Sequence, residues 1–263
     1  MRIIRDSAIV AKRNLIKIKR VPDLLVVSTL SPIMFVLLFA YVFGSAIDVP
    51  GVGYKEFLMA GIFVQTAIFG ATITGASLAE DLQKGVMDRF RSLPMARSAV
   101  VIGRTAADAG TNILTVIVMA ITGLIVGWRI RSSFIEALGG FALLLMFAYA
   151  MSWVMALVGL TVKTPEVVNN ASFIVTFPLT FIANTFVPTD NFPTVLRVLA
   201  EWNPVSAVTQ AARELFGNTS PVMPAPNVWP LQNPVLYALL WVLLLLVVFV
   251  PLSVRKYQRT LVS

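Results

Sequence analysis

The fold is decided by residues 79–108, AEDLQKGVMDRFRSLPMARSAVVIGRTAAD, a charged passage between two long apolar segments. Apolar side chains within it recur at helical spacing, at Val86, Met87, Phe90 and Leu93. Pro94 then ends this run, because proline lacks the backbone donor and disfavours helix in the residue before it. The passage therefore predicts a short amphipathic helix outside a membrane, where another protein can bind it.

The composition is that of an integral membrane protein. The chain has 263 residues, of which 57% are hydrophobic and 13% are charged, whereas soluble domains carry about 25% charged residues. The net charge is +8, and the excess of Lys and Arg on the cytoplasmic side of membrane proteins explains it. The sequence lacks the basic and aromatic repeats typical of nucleic-acid binders, so we expect no nucleic-acid partner.

The sequence offers no constellation of residues for catalysis or for binding a metal or cofactor. It contains no Cys and no His, which removes disulfides, thiolate chemistry, imidazole ligands and histidine bases. The carboxylates stand mostly at segment ends and in loops, and no nucleotide-binding motif of the form G-x-x-x-x-G-K-[ST] occurs. We therefore expect a protein that is not an enzyme and that obtains any energy it needs from a partner.

Six apolar segments predict an all-α integral membrane protein with six transmembrane helices in one domain, residues 1–263. Their predicted ranges are 24–47, 57–78, 105–127, 137–162, 167–187 and 233–251, each near the ~20 residues that a helix needs to cross a bilayer. Pro32 and Pro178 interrupt two of them, which neighbouring helices in lipid can accommodate. Sixteen of the 21 Lys and Arg residues lie at the termini, in the loop 80–104 and in the turn 163–166, so both termini are predicted to be cytoplasmic.

Two further regions flank the predicted spans. Residues 1–20 place apolar side chains on one helical face and predict an interfacial amphipathic helix on the inner membrane surface, although a basic tail that only sets topology would carry the same charge. Its candidate headgroup contacts are Arg5, Lys12, Arg13 and Lys17. Residues 188–232, on the outside, predict two short extracytoplasmic helices at 194–201 and 205–216, and the pair Asn203-Pro204 starts the second.

The spans contain uncharged polar residues and few ionisable ones, which argues against an ion-coupled transporter. Four amides are candidate pathway residues: Gln65, Asn112, Asn169 and Asn184. The usual role of such residues is hydrogen bonding between helices, and that alternative stays open for all four. A pathway lined by apolar and mildly polar groups would suit an amphipathic or lipid-like substrate.

Two blocks of sequence resemble the membrane subunit of type 2 ATP-binding-cassette (ABC) exporters, the group that includes the daunorubicin-resistance permeases. The first block is KGVMDRFRSLPMAR at 84–97. The second consists of FVP at 186–188, FP at 192–193, WNPVSAV at 202–208 and Arg213. The order and spacing of the two blocks on a six-span, basic-inside chain cover essentially the whole sequence.

The resemblance implies that a cytoplasmic coupling helix docks on a separate ABC ATPase subunit, through Gly85, Asp88, Arg89, Phe90, Arg91, Leu93, Pro94 and Arg97. It implies that the helix at 1–20 also touches the ATPase, and that short helices within 188–216 cap the pathway. The implied extracytoplasmic gate residues are Pro188, Asn203, Pro204 and Arg213. Two permeases, identical or related, would work with two copies of the ATPase, which bind ATP and Mg²⁺, while this chain binds no cofactor.

The predicted function is export of an amphipathic drug-like or lipid substrate, out of the cytoplasm or inner leaflet, across a bacterial plasma membrane. A permease for polysaccharide or glycolipid shares the architecture and stays open as an alternative. From another class, a membrane scaffold or enzyme would work without an ATPase partner. The charged passage would then be a solvated loop whose arginines only set topology.

Overall fold

The computed structural model describes residues 5–7, 9–11, 22–45, 47, 49–86, 99–162, 164–220, 222 and 227–260, and the regular structure in them is helical throughout. Within the described residues from 22 onward, nine α-helices follow in order: α1 Pro22–Leu37, α2 Tyr54–Gln83, α3 Ala99–Val126, α4 Phe134–Gly159, α5 Pro165–Phe181, α6 Thr194–Glu201, α7 Pro204–Phe216, α8 Trp229–Gln232 and α9 Pro234–Thr260. A π-helical turn (Leu38–Val42) and a 3-10 turn (Phe43–Ser45) continue α1, and a second 3-10 turn covers Thr189–Asn191. Residues 5–7 and 9–11 are also helical.

Four helices of the described chain, α2, α3, α4 and α9, are long and apolar enough to cross a membrane. The first and fifth predicted spans correspond to shorter helices. The apolar stretch Leu30–Val42 belongs to α1 and its π-helical turn, and α5 has 17 residues. The all-helical membrane class is therefore confirmed, while the count of six spans stays a prediction.

The long helices extend beyond several of the predicted ranges. α2 reaches Gln83 and α3 begins at Ala99, so both ends of the charged passage continue the neighbouring helices. α4 begins earlier than predicted because Ser133 and Glu136 form a capping box, in which each side chain bonds the other residue's backbone amide. α9 continues past Pro251 to Thr260, as membrane helices tolerate a proline where neighbours satisfy the freed backbone.

The core is built around α2, most of which is buried against α3, α4, α5 and α7. The backbones of α2 and α4 touch where Gly75 meets Gly159, since a Cβ added to Gly159 would lie 2.1 Å from the Gly75 carbonyl oxygen. Small residues allow such close approach between membrane helices. We call the end of the bundle that carries the 84–98 connection the loop end, and the opposite end, which carries α6 and α7, the gate end.

Candidate functional site

At the gate end, Asn203 joins the end of α5 to the start of α7. Its side-chain Oδ1 accepts a hydrogen bond from the Val205 amide at 2.9 Å, and Pro204 occupies the first helical position of α7. Its Nδ2 donates to the carbonyls of Leu179 and Ile182 at 2.8 and 2.7 Å. Because the last carbonyls of a helix have no intrahelical partner, this one side chain caps two helix ends.

Arg213 on α7 is buried, with 2% of its surface exposed. Its Nε donates to the Phe57 carbonyl at 2.9 Å, and its Nη2 donates to the carbonyls of Asn184 and Thr185 at 2.6 and 3.3 Å. The guanidinium also lies over the Phe57 ring, 3.5 Å from the ring centroid. Burial lowers the pKa of Arg213 to about 9, so the group is charged at neutral pH and joins α7 to the first turn of α2.

Residues 182–188, which we call the gate segment, connect α5 to the outer short helices without forming a helix. The segment lies directly on the α2 backbone, because a Cβ added to Gly61 would lie 2.1 Å from the Thr185 carbonyl oxygen. The backbone amide of Asn184 donates to Ser206 Oγ at 3.0 Å. Pro188, at the end of the segment, precedes the 3-10 turn. The gate segment is thus held between α2 and α7 by the groups that surround Arg213.

Several polar atoms near Arg213 are left unpaired. Buried atoms without a hydrogen-bond partner within the described ranges include Arg213 Nη1, Asn184 Oδ1, Thr185 Oγ1 and Thr209 Oγ1. Thr209 stands one helical turn before Arg213, and the other two residues bind Arg213 through their carbonyls. A buried unpaired polar group costs about 1–3 kcal/mol. Because these four atoms already bear that cost, exchanging the present hydrogen bonds for another set would cost least at this point of the gate end.

A second polar hub at the gate end, Asn218, is absent from the predicted site. Its Oδ1 accepts from Trp128 Nε1 at 2.7 Å, and its Nδ2 donates to the Arg129 carbonyl at 2.9 Å. Gly217, with φ of +69°, ends α7 in the left-handed conformation and turns Asn218 toward this loop. The Gly-Asn pair after an apolar helical run signals a helix end, but nothing local predicts a partner 90 residues away.

The structure does not bring the four candidate pathway amides together. Gln65 on α2 and Asn112 on α3 are buried, and Asn112 Oδ1 lies against Gly70, 3.0 Å from where a Cβ would stand. Asn184 belongs to the gate segment. Asn169, by contrast, is exposed on α5, so it is the one of the four that faces away from the protein interior.

Asn169 begins a row of residues spaced by four along α5, which continues with Phe173, Phe177 and Phe181. We call these three the phenylalanine stripe. Phe173 and Phe177 stack with ring centroids 5.1 Å apart, and Phe177 and Phe181 stack at 4.1 Å. Phe173 and Phe177 are 54% and 41% exposed. The i, i+4 spacing is visible in the sequence, but only the structure shows that this row is exposed.

The stripe leads to the gate segment. Phe181 contacts Phe186 at 4.9 Å between centroids, and Phe186 stacks on Phe39 of the π-helical turn at 4.6 Å. The Phe186 carbonyl accepts a hydrogen bond from the Tyr54 hydroxyl at 3.2 Å. A continuous series of aromatic rings therefore runs from the exposed face of α5 to the segment that Arg213 holds.

At the loop end, the ends of α2, α3, α4 and α9 meet in a small apolar cluster. Its buried members are Leu78, Val100, Val101, Trp153, Ala156, Leu160 and Tyr257. Ser253 Oγ donates to the Trp153 carbonyl at 3.1 Å and ties α9 to α4. After α2, the chain turns at Gly85, which has φ of +63°. The cluster thus fixes the helix ends on which the predicted coupling loop is mounted.

Most predicted ATPase-coupling residues lie outside the described residues, namely Asp88, Arg89, Phe90, Arg91, Leu93, Pro94 and Arg97. The same holds for Lys12, Arg13 and Lys17 of the predicted interfacial helix, whereas Arg5 is exposed on the short helical piece 5–7. That N-terminal part packs on α3, because a Cβ added to Gly103 would lie 2.6 Å from the Ser7 carbonyl oxygen.

Apolar helices of membrane-spanning length, joined at one end by buried polar contacts, are those of a helical, multi-pass membrane protein. The ABC-2 type transporter family matches residues 7–216, most of the chain. The chain belongs to this family, the type 2 ABC permeases.

Named relatives agree with this membership. The chain is 32% identical over 247 residues to the "Daunorubicin resistance ABC transporter permease protein DrrB1" of Streptomyces coeruleorubidus, which covers 94% of this chain and 84% of that protein. It is 26% identical over 199 residues to the "Probable doxorubicin resistance ABC transporter permease protein DrrC" of Mycobacterium tuberculosis, covering 75% and 68%. A "Putative transport permease ycf38" of Porphyra purpurea is 24% identical over 223 residues, covering 82% and 76%.

Proposed function

We propose that the chain is the transmembrane subunit of an ABC exporter that moves an amphipathic, drug-like substrate out of the cytoplasm or inner leaflet. A separate pair of ATPase subunits, which bind ATP and Mg²⁺, supplies the energy, and a second permease completes the pathway. Membership of the family supports the ATPase partner. The bias of Lys and Arg toward the loop end supports a plasma-membrane orientation with that end and both termini in the cytoplasm.

In the proposed mechanism, α2 carries the motion from the loop end to the gate end. α2 has 30 residues, so at 1.5 Å per residue it spans about 45 Å. One end leads into the predicted coupling loop, and the other end presents the Phe57 carbonyl to Arg213. When the ATPase subunits close on ATP, displacement of the loop shifts α2, breaks the Arg213 contacts and releases the gate segment.

The single observation that carries the drug-like substrate class is the phenylalanine stripe. Exposed stacked rings offer flat apolar faces, and aromatic pairs gain about 0.5–1.5 kcal/mol beyond their buried area. Asn169 adds one polar group at the end of the row nearest the loop end. A polysaccharide would need many hydrogen-bonding groups along its path, so the stripe favours an amphipathic aromatic compound over a glycan. The names of the daunorubicin- and doxorubicin-resistance relatives point to the same class.

The test is ATP-dependent uptake of fluorescent daunorubicin into inside-out membrane vesicles that contain the native complex. We expect the double variant Phe173→Leu, Phe177→Leu to raise the KM for daunorubicin about 5- to 30-fold, because two stacking faces worth roughly 1–2 kcal/mol are lost. Phe134→Leu is the matched control, since Phe134 is the most exposed phenylalanine of the described chain and lies outside the stripe. Its uptake should equal that of the parent.

Co-purification from native membranes in mild detergent tests the coupling. A nucleotide-binding subunit in roughly equal amount is expected, and Arg89→Glu with Arg91→Glu should abolish uptake and weaken that co-purification without affecting membrane insertion. Recovery of the chain alone, without ATP hydrolysis, would contradict the exporter and favour the scaffold. Unchanged uptake in the stripe variant with intact coupling would contradict only the proposed substrate path.

A further inference from the structure

A second row of phenylalanines lies on α1 and the turns that continue it. Phe35, Phe39 and Phe43 are spaced by four residues, and we call them the α1 row. The ring centroids of Phe35 and Phe39 are 5.8 Å apart, and those of Phe39 and Phe43 are 4.8 Å apart, with both pairs stacked. Phe43 is 40% exposed, and the other two are partly buried. The α1 row therefore offers stacked flat faces of the same kind as the phenylalanine stripe on α5.

One ring of the gate segment, that of Phe186, joins the two rows. Its centroid lies 4.9 Å from that of Phe181 in the stripe and 4.6 Å from that of Phe39 in the α1 row. Phe186 is buried, with 5% of its surface exposed, and its carbonyl accepts a hydrogen bond from Tyr54. The aromatic surface is thus exposed on α5, covered at the gate segment and exposed again at Phe43.

Both rows lead toward the gate end. The stripe follows α5 from Phe173 to Phe181, where the gate segment begins. The α1 row ends at Phe43, in the 3-10 turn that precedes the connection to α2. A flat apolar molecule that moves along the stripe therefore reaches Phe186, and the rings beyond Phe186 continue to the outer rim of the bundle.

The backbone of the α1 row is irregular at the point where it meets Phe186. Phe39 lies within the π-helical turn Leu38–Val42, and Phe43 follows that turn directly. Single π-helical turns are rare and occur frequently at functional sites. This observation is independent of the ring contacts, and it marks the same stretch of α1.

Ordinary packing also stacks aromatic rings, but it covers them. Here the rings at the two ends of the series are exposed, whereas the ring between the rows is buried. That buried ring belongs to the gate segment, which has no helix of its own and is held by the Arg213 contacts. Phe186 is therefore placed to separate two exposed aromatic surfaces and to join them when the gate segment moves.

We propose that the α1 row is a second binding surface for the planar aromatic part of the substrate, reached from the phenylalanine stripe when the gate segment carries Phe186 away from its place between the two rows. The inference rests on the proposed function, which assigns the stripe to the substrate and the movement to the gate segment. The substrate binds the stripe while Arg213 holds the gate segment, and it binds the α1 row after release.

The test is the binding of daunorubicin to the purified complex in two states, measured by equilibrium dialysis in detergent. One state is free of nucleotide. The other is trapped with ATP and orthovanadate, so that the ATPase subunits stay closed. The double variant Phe39→Leu, Phe43→Leu is compared with the stripe variant Phe173→Leu, Phe177→Leu and with the parent.

The two variants should fail in opposite states. The α1 variant is expected to raise the Kd for daunorubicin about 5- to 30-fold in the trapped complex, because two stacking faces are lost, and to leave the Kd of the nucleotide-free complex unchanged. The stripe variant is expected to raise the Kd in the nucleotide-free complex and to leave that of the trapped complex unchanged.

Tyr41→Leu is the matched control, because it removes an exposed ring from the same π-helical turn. Tyr41 is 58% exposed and stands two residues from both Phe39 and Phe43, so its ring points to another side of the turn, where Lys55 Nζ lies 4.6 Å from the ring centroid. Its Kd should equal that of the parent in both states. Phe43→Leu alone, at the most exposed ring of the row, tests the proposal if the double variant does not fold, and should raise the Kd of the trapped complex several-fold.

An α1 variant that binds daunorubicin like the parent in the trapped state would overturn the inference and leave the proposed function intact, provided that the stripe variant is impaired. Equal weakening of both states by the α1 variant would also overturn it, because the α1 row would then belong to the entry surface. Absence of binding by the parent in either state would contradict the proposed substrate class and this inference together.

Discussion

The two ends of α2 are held by different kinds of contact. At the gate end, Arg213 and the gate segment fix it through hydrogen bonds to particular carbonyl oxygens. At the loop end, α2 meets α4 at the Gly75–Gly159 crossing and joins an apolar cluster around Leu78. Hydrogen bonds are directional and are either made or broken, whereas apolar contact has little preferred direction.

This difference shows how one helix can both transmit a displacement and hold the gate segment in place. A small shift of α2 along its axis can be absorbed at the loop end by sliding of apolar surfaces. The same shift at the gate end must break the Arg213 bonds, and packed interfaces of this kind switch between discrete arrangements. We therefore expect the effect of a substitution at the gate end to follow the number and burial of the hydrogen bonds that it removes, and the effect of a substitution at the loop end to follow the steric overlap that it creates.

The largest effect is expected for Arg213→Met, which keeps an unbranched apolar stem and removes the guanidinium. Three carbonyl contacts are lost, so the free energy of unfolding should fall by about 2–4 kcal/mol. The measurement is the midpoint of thermal unfolding in detergent, followed by size-exclusion chromatography. Arg255→Met, at an exposed arginine near the end of α9, is the matched control and should unfold like the parent. An unshifted midpoint for Arg213→Met would mean that Arg213 does not hold the gate end together.

The next effect tests the loop end. Gly159→Ala places a Cβ 2.1 Å from the Gly75 carbonyl oxygen, so α2 and α4 must move apart, at a cost of about 1–3 kcal/mol. Gly139→Ala on the same helix is the control, because its Cβ would meet only Leu215 Cδ2, at 3.8 Å. Equal unfolding midpoints for the two variants would show that the crossing is loose.

The sequence predicts the class of the fold because an apolar run of about 20 residues matches the thickness of a bilayer and is too long for an ordinary buried helix. It also predicts α7, since Asn203 and Pro204 are strong signals for the start of this helix. It does not predict that α2 reaches Gln83 or that α9 runs through Pro251, because the packing of neighbouring helices decides where a membrane helix ends.

The candidate site is predictable only where the signal is local. Arg213 enters the predicted site through the family resemblance, and its partners on α2 and in the gate segment are 156 and 29 residues away along the chain. The sequence groups Asn184 with the pathway residues, and the structure instead places it beside Arg213. The phenylalanine stripe has a plain i, i+4 period, yet periodicity alone cannot distinguish an exposed row from a buried one.

A smaller effect is expected for Asn203, since its contacts are neutral hydrogen bonds. Asn203→Ala removes the cap of α7 and two bonds to the end of α5, which should lower the free energy of unfolding by about 1–2 kcal/mol. Asn203→Asp keeps the acceptor for the Val205 amide but loses both donors, so it separates the two functions. Asn233→Ala, at an exposed asparagine before α9, should be neutral. An Asp variant as stable as the parent would mean that the bonds to α5 contribute nothing.

The smallest effect is expected for the ion pair of Glu56 with Arg131 at the rim of the gate end. Arg131 Nη2 lies 2.8 Å from Glu56 Oε1, and Arg131 Nε donates to the same oxygen at 3.0 Å. The geometry is good, but Arg131 is largely exposed, and exposed pairs contribute little and are screened by salt. Glu56→Gln should therefore leave the unfolding midpoint unchanged in physiological salt and lower it slightly in low salt. A salt-independent decrease as large as that of Asn203→Ala would show that the Glu56–Arg131 pair at the surface holds the gate end together, in place of the buried Arg213 contacts.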